Sequence, residues 1–323
     1  MTDRLEQEQT FDLFGSRVRL LIGAPTREGL PSPEAIALQI QGFMLVLHRR
    51  LTRFDPDSEL CGLNATPGTS LRVSSTLATA VEAAIWAARR SDGLVDPTLL
   101  GELERVGYAA SRVNVPSAPI ADALLAAPER KPARPARAAR WPSIEVDRSD
   151  NTVTRPPGIR LDLGGTAKGL AADLAVDRLA GYSTFVVDAG GDLRLGGERP
   201  LKRLVRIEHP LRSDPVHELM LDRGAVATSG IKTRLWAGEN GFAHHLLDPS
   251  TGEPAWTGIL QATALGSTAL EAETLAKMAF LSGPEVAAEI LAPGGGLIVL
   301  DDGGVRFFGS LAARSGKAQA VPA

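Results

Sequence analysis

Two stretches of this chain share one design, a short apolar run that ends in a glycine pair. The first is Leu161-Asp162-Leu163-Gly164-Gly165-Thr166-Ala167-Lys168-Gly169, and the second is Thr184-Phe185-Val186-Val187-Asp188-Ala189-Gly190-Gly191-Asp192. Between them Ala171, Leu174, Ala175, Arg178 and Leu179 follow helical spacing, and Gly181 stops the helix. Strand, helix and strand with the glycine pairs about 25 residues apart is the pattern of a crossover unit, which brings both turns to one sheet edge. In the first stretch, glycine N–H groups and a helix N-terminus offer an anion a cradle, and Lys168 adds a full positive charge. The spacing is neither a Walker A loop nor a GxGxxG fingerprint. A tight strand-to-helix turn with a solvated Lys168 uses the same residues.

With 323 residues, 44% hydrophobic and 23% charged, the chain can bury one large core or two smaller ones, and disorder throughout is excluded. A formal net charge of −3 without a sustained basic face excludes an extended nucleic-acid footprint. A small phosphate-bearing ligand needs only a local positive patch. Cys61 is the only cysteine, which excludes an intrachain disulfide and a thiolate cluster and suits a reducing compartment. The first nine residues are charged and lack a signal peptide's apolar stretch, and no later segment is apolar for long enough to span a bilayer. The expectation is a cytoplasmic protein without stable membrane insertion.

A turn at Phe14-Gly15-Ser16 precedes a strand over Arg17–Ile22, and Pro33 to Leu51 carries helical spacing. Ser74 or Ser75 caps a core helix whose stripe is Leu77, Ala80, Val81, Ala84, Ile85 and Ala88, stopped by Asp92-Gly93. In Gly93-Leu94-Val95-Asp96-Pro97-Thr98 a carboxylate and a hydroxyl flank a proline-fixed turn, which an Asx bond explains. Residues 111–142 shift to Ala, Pro and Arg, and are expected to form a mobile surface insertion. Further on, Ala225-Val226-Ala227-Thr228-Ser229-Gly230 sets two hydroxyls at the end of an apolar strand. Adjacent His244 and His245 point to opposite faces of a strand, so one is expected at a site and the other in solvent, and the pair cannot share a metal. Thr268-Ala269-Leu270-Glu271 is a capping box opening a helix to Gly283, on which Glu273 and Lys277 share a face. As a surface ion pair they contribute only ~0.3 to 0.5 kcal/mol.

Taken in order, seven segments of the chain resemble the ApbE family, the FAD:protein FMN transferases. They are Phe14-Gly15-Ser16; Arg53 to Leu60 with Leu63-Asn64; Asp92 to Thr98; Asp162 to Gly169; Asp188 to Asp192; Ala227 to Gly230; and His244 to Pro249 with Thr251-Gly252. The resemblance implies an α+β fold of two interleaved lobes, with mixed sheets and packed helices, in one domain over 11–310. Residues 111–142 stand outside the pattern as an insertion, and 1–10 and 311–323 are expected to be flexible tails. FAD would lie in the cleft between the lobes. FMN would pass from it to a threonine hydroxyl of an acceptor protein bearing a Ser/Thr-Gly-Ala-Thr type motif, forming a phosphoester and releasing AMP.

Carried over by position, the resemblance places Phe14 and Phe54 beside the flavin, and Leu94, Val95 and Asp96 against FAD. It sets Asp162 and Lys168 at the ribose or phosphates, adds Thr228, and gives Leu246 backbone contacts. His245 would position the diphosphate or relay a proton, since imidazole titrates near neutral pH. Asp188 or Asp192 would deprotonate the incoming threonine or hold the loop, and Asp192 is taken as the catalytic candidate of the two. In the family a helix supplies an Asp and, four residues later, a Thr to magnesium; here those positions are Glu273 and Lys277, with Gly165 as the third. A protonated lysine has no free electron pair and repels a divalent cation. Either Mg2+ binds with altered coordination, or Lys277 supplies the positive charge and joins the catalytic group. Two other activities fit the motifs: a non-catalytic FAD-binding protein, and an FAD pyrophosphatase releasing FMN and AMP.

Overall fold

Alternating side chains build the first hairpin of the computed structural model, which describes residues 6–238 and 241–312. Here β1 (Gln7–Leu13) pairs antiparallel with β2 (Ser16–Ile22), joined by Phe14 and Gly15 at positive φ, 54° and 68°. Such a two-residue turn matches the right-handed twist of its strands. The flexible tail expected over 1–10 is therefore corrected: Gln7–Thr10 belong to a strand, because the β2 edge offers them a full ladder. The rest of that tail, 1–5, lies outside the described residues, as does 313–323. At the other end Leu311 is buried, so the C-terminal tail expectation fails there too.

In chain order there follow α1 (Pro33–Leu51), α2 (Glu59–Ala65), β3 (Ser70–Arg72), α3 (Ser75–Arg90), α4 (Leu100–Arg105), α5 (Ile120–Ala126), β4 (Glu145–Asp147) and β5 (Thr152–Thr154). Next come α6 (Ala167–Val176), β6 (Phe185–Ala189), β7 (Leu193–Gly196), β8 (Arg203–Glu208), β9 (Pro215–Leu221), β10 (Gly224–Gly230), β11 (Leu235–Gly238) and β12 (Gly241–His244). The chain ends with β13 (Leu247–Asp248), β14 (Glu253–Pro254), β15 (Ile259–Gly266), α7 (Ala269–Leu291), β16 (Gly296–Leu300) and β17 (Val305–Phe308). One sheet of eight strands runs in the order β1-β2-β6-β7-β10-β15-β16-β17, and small sheets flank it. Every pairing in it is antiparallel. The class is α+β, as expected, with an antiparallel sheet where the resemblance implied mixed ones.

The crossover expectation is corrected for the same reason. Leu161–Leu163 is extended but joins no sheet: Asn64 brackets Leu161 with two hydrogen bonds, and the Asp162 N–H donates to the Pro97 carbonyl. The second glycine pair is a hairpin tip between β6 and β7, with Gly190 and Gly191 at φ 73° and 97°. Both turns nonetheless reach one site, because α6 packs on β6.

Helices cover one face of the large sheet. Val18, Leu20, Ile22 and Val187 meet Ile36, Ile40, Met44 and Leu47 of α1 and Leu170 and Ala171 of α6, while Ala262, Ala264 and Ile298 meet Ala276, Ala279 and Phe280 of α7. Each large apolar side chain so buried stabilises the fold by ~1.5 to 3 kcal/mol. The opposite face is covered at the β16–β17 end by the β8–β9 hairpin, through Ile207 and Leu219 on Leu297 and Val299. Toward β2 and β7 it opens into a cleft.

The Ala/Pro/Arg segment also departs from expectation, being neither unstructured nor loosely attached. It carries α5 and then an extended strap in which Lys131 N–H donates to the Trp256 carbonyl and Ala133 N–H to the Leu281 carbonyl. Arg134 exchanges bonds with Asp248 and Ser250, and Ala133 is buried. Prolines suit an extended path whose ladder is intermittent. No described helix is long and apolar enough to cross a membrane.

Candidate active site

A cleft of about 1490 Å³ opens between the uncovered face of the sheet and the loops around α4 and α7. Common ligand pockets are roughly 300 to 1,000 Å³, so this one has room for an extended dinucleotide. Phe14, Phe54, Leu94, Val95, Asp96 and Asp162 line it, with Gly165, Lys168, Thr228, His245, Leu246, Glu273 and Lys277. Of the residues nominated from sequence only Asp192 stays out of the lining. Basic side chains outnumber carboxylates along the walls, in a chain of net charge −3.

At its floor, and with Asp192 just beneath it, lie two acids and two ammonium groups. Lys168 Nζ is 2.5 Å from Asp192 Oδ2, and Lys277 Nζ is 2.8 Å from Glu273 Oε1. Glu273 and Asp192 are each only 1% exposed, so this is a buried quartet and not the surface pair that helical spacing alone allowed. Burial pulls the Lys168 pKa down, but Asp192 and Glu273 outweigh it and the net shift is upward. Asp192 is pushed up to about 6 by burial and by Glu273, against the pull of both lysines. It stands behind Lys168 and holds it.

The glycine that this packing demands is Gly169. A Cβ there would lie 2.8 Å from the Ala269 carbonyl carbon and oxygen, and its N–H donates to Glu273 Oε2 at 2.9 Å. Gly165 has ordinary space, its nearest neighbour being Lys277 Cε at 3.8 Å. No anion cradle is free at Gly164 either, since its N–H donates to Asp162 Oδ1 at 2.7 Å.

Asp162 is fully engaged. Its second oxygen meets Arg53 Nε at 2.5 Å, and Arg53 also donates to the Tyr108 carbonyl at 2.7 Å. The Arg53 guanidinium lies 4.2 Å from the Phe54 ring centroid and 4.5 Å from that of Tyr108, which continues to Trp236 at 5.5 Å. Arg53, Phe54 and Tyr108 of this cation–aromatic ladder line the cleft, and Trp236 is buried behind them. Phe14, also in the lining, holds a left-handed φ, unusual for a bulky residue, and sets its ring edge-on to His48. Asp96 makes the expected Asx turn, accepting from Thr98 N–H and Oγ1, and burial raises its pKa. Thr228 shares a 2.9 Å hydroxyl contact with Thr263.

The two histidines do face opposite ways, but His244 is not in solvent. It is fully buried against Trp256 and Phe280, accepts from Leu246 N–H at Nδ1, and is driven down to about 3 by burial. An apolar pocket on that side of the strand explains the difference. His245 lines the cleft, and its Nδ1 is buried with no hydrogen bond among the described residues. Burial, then the charge of Arg234, His244 and Lys277, holds it well below its ordinary pKa, so the ring is neutral at pH 7. The Leu246 N–H and carbonyl are both bonded within the protein, to His244 and Ala255.

The donor set does not fit a magnesium ion. Both Glu273 oxygens are taken, one by an ammonium, and among the described residues no three His, Cys, Asp or Glu side chains gather around a metal position. Sequence reasoning missed Arg53, Tyr108, Arg112 and Arg234, all on the walls. Arg53 was legible, standing in a matched segment; the others sit where no local pattern marks them.

The structure is thus an antiparallel α+β frame with one large cleft whose lining carries more basic than acidic side chains. The ApbE family model matches residues 14–299, and the chain belongs to that family. It is 28% identical over 297 residues to an FAD:protein FMN transferase of Treponema pallidum, spanning 85% of this chain and 81% of that protein. An FAD:protein FMN transferase of Rhodobacter capsulatus is 30% identical over 92% of this chain, which covers 56% of the relative's own length. Among solved structures, the ApbE protein of Thermotoga maritima superposes with a TM-score of 0.78 at 25% identity, over 95% of this chain and 98% of that one. Flavin transferase ApbE from Vibrio cholerae gives 0.71 at 20% identity, over 95% and 98%.

Proposed function

We propose that this chain transfers FMN from FAD to a threonine hydroxyl of an acceptor protein. The observation that carries the reading is the convergence of every nominated residue but Asp192 on one basic cleft of dinucleotide size. Neutral His245 takes the hydroxyl proton as the threonine oxygen attacks the FMN phosphorus. A phosphoester forms, the diphosphate bridge breaks, and AMP leaves with the electron pair of the broken bond. Positioned cations offset the charge that develops there. Phe14, Phe54, Leu94, Val95 and Asp96 hold the two ends of FAD, and Leu246 and Thr228 shape the floor. Asp162 fixes Arg53 and the turn into α6, and Asp192 positions Lys168. At the Glu273 and Gly165 position the Lys277 ammonium stands in place of a divalent ion.

The test incubates purified protein with FAD and an acceptor domain carrying a Ser/Thr-Gly-Ala-Thr type motif, with EDTA or with Mg2+. Fluorescent acceptor and one AMP per flavin in both conditions are expected. Free FMN with AMP, or intact FAD alone, would reject the transferase reading, and labelling that requires Mg2+ would reject the ammonium's role.

A further inference from the structure

The buried quartet sums to no net charge. Lys168 and Lys277, the cations nearest the floor, are each matched by a carboxylate within 2.8 Å, and Arg53 is likewise matched by Asp162. A diphosphate entering the cleft therefore needs a cation that the protein has left uncompensated. Arg234 is such a group. It lies in the turn between β10 and β11 and lines the cleft, and it makes no ion pair with any described residue. Its guanidinium sits 6.0 Å from the Tyr108 ring centroid, and Nη2 lies 3.8 Å from where Gly15 would carry a Cβ, at ordinary contact distance beside the Phe14–Gly15 turn. Its charge is felt at both Lys168 and His245, in keeping with its place in the lining of the same cleft. Lys202, Lys232 and Arg49 also line the cleft without an ion pair among the described residues, but they are exposed, where water screens them, and Arg112, half-buried like Arg234, is stacked over the Trp236 ring at 4.8 Å.

We propose that Arg234 binds the diphosphate of FAD and is the principal uncompensated cation of the site. The inference rests on the FAD-binding reading above. A guanidinium presents a planar fork matched to two phosphate oxygens, and it keeps its charge at any working pH. Lys168 and Lys277 then fix the floor, while Arg234 supplies net attraction.

Isothermal titration of the full-length protein with FAD and with ADP tests this on wild type, R234Q and R234K. A charge-assisted phosphate contact predicts roughly 10- to 100-fold weaker binding of both ligands to R234Q, with partial recovery in R234K. Raising salt should weaken FAD binding to wild type more steeply than to R234Q. An unchanged melting temperature in R234Q shows that the loss is not one of folding, and if R234Q melts early the R234K salt dependence decides. FAD and ADP affinities unaltered in R234Q, with an unaltered salt response, would overturn the inference alone. Failure of wild type to bind FAD would overturn the functional reading and this inference with it.

Discussion

Replacing Lys277 by methionine separates a buried charge pair from a surface one. Glu273 is 1% exposed and its partner's side chain 11%, so the substitution strands a carboxylate away from water with one remaining donor, the Gly169 N–H. Breaking one side of a buried pair costs about 3 to 5 kcal/mol, against ~0.3 to 0.5 for an exposed helical pair. The surviving hydrogen bond puts the expected loss near the lower end, about 3 kcal/mol. The mutation also removes a charge that lowers the Asp192 pKa, so Asp192 should take up a proton at a higher pH. In the double variant Glu273→Gln/Lys277→Met no charge is stranded, and most of the lost stability should return, to within ~1 to 2 kcal/mol of wild type. Urea unfolding followed by tryptophan fluorescence measures both. A single-variant loss under about 1 kcal/mol, or additive effects in the double, would refute the buried-quartet argument.

The His244 pKa falls from its ordinary 6.5 to about 3 on folding. Across that window the unfolded chain binds a proton that the native state refuses, so stability should drop as pH falls, by at most ~1.4 kcal/mol per pH unit. Asp192, raised from 3.8 to about 6, acts with the opposite sign over its own window, so H244F should expose a shallower acid limb in pH-dependent unfolding. Gly169→Ala forces α6 and α7 apart and should cost about 1 to 3 kcal/mol by urea unfolding, whereas Gly165→Ala, with ordinary space, should be near neutral. Equal losses at the two glycines would count against the close-approach argument.

Much of the helical layer could be read directly. Pro33 to Leu51 is α1 as spaced, Ser74 caps α3 by accepting from Leu77 N–H, and Thr268 caps α7. These signals are local, so periodicity and caps suffice. Gly283, read as the end of the last helix, is a kink at φ 78° after which Pro284 starts a further helical stretch. Leu161–Leu163 misled because an apolar triplet before glycines does not reveal whether its backbone will meet a strand or the Asn64 side chain. The site was legible as a set of motifs, but the partners were not. That Lys168 finds Asp192 and Arg53 finds Asp162 depends on packing between segments far apart in sequence, which no window of residues contains.

The Ala/Pro/Arg strap acts as a tie-bar. At one point Ala133 grips the Leu281 carbonyl, one turn of α7 beyond Lys277, with Pro132 against Gly283 at the kink. At the next, Arg134 grips Asp248 and Ser250, just past His245. The wall that carries the ammonium and the wall that carries the imidazole are thus braced against each other by a handful of residues that look like filler. On the α5 side the strap has its own anchors, since Ala123 is buried and Ile120 and Leu124 pack on the apolar cluster of α7. A residue added or removed at Ala133 changes the length of the brace itself, and with it the distance across which a phosphoryl group must be handed over.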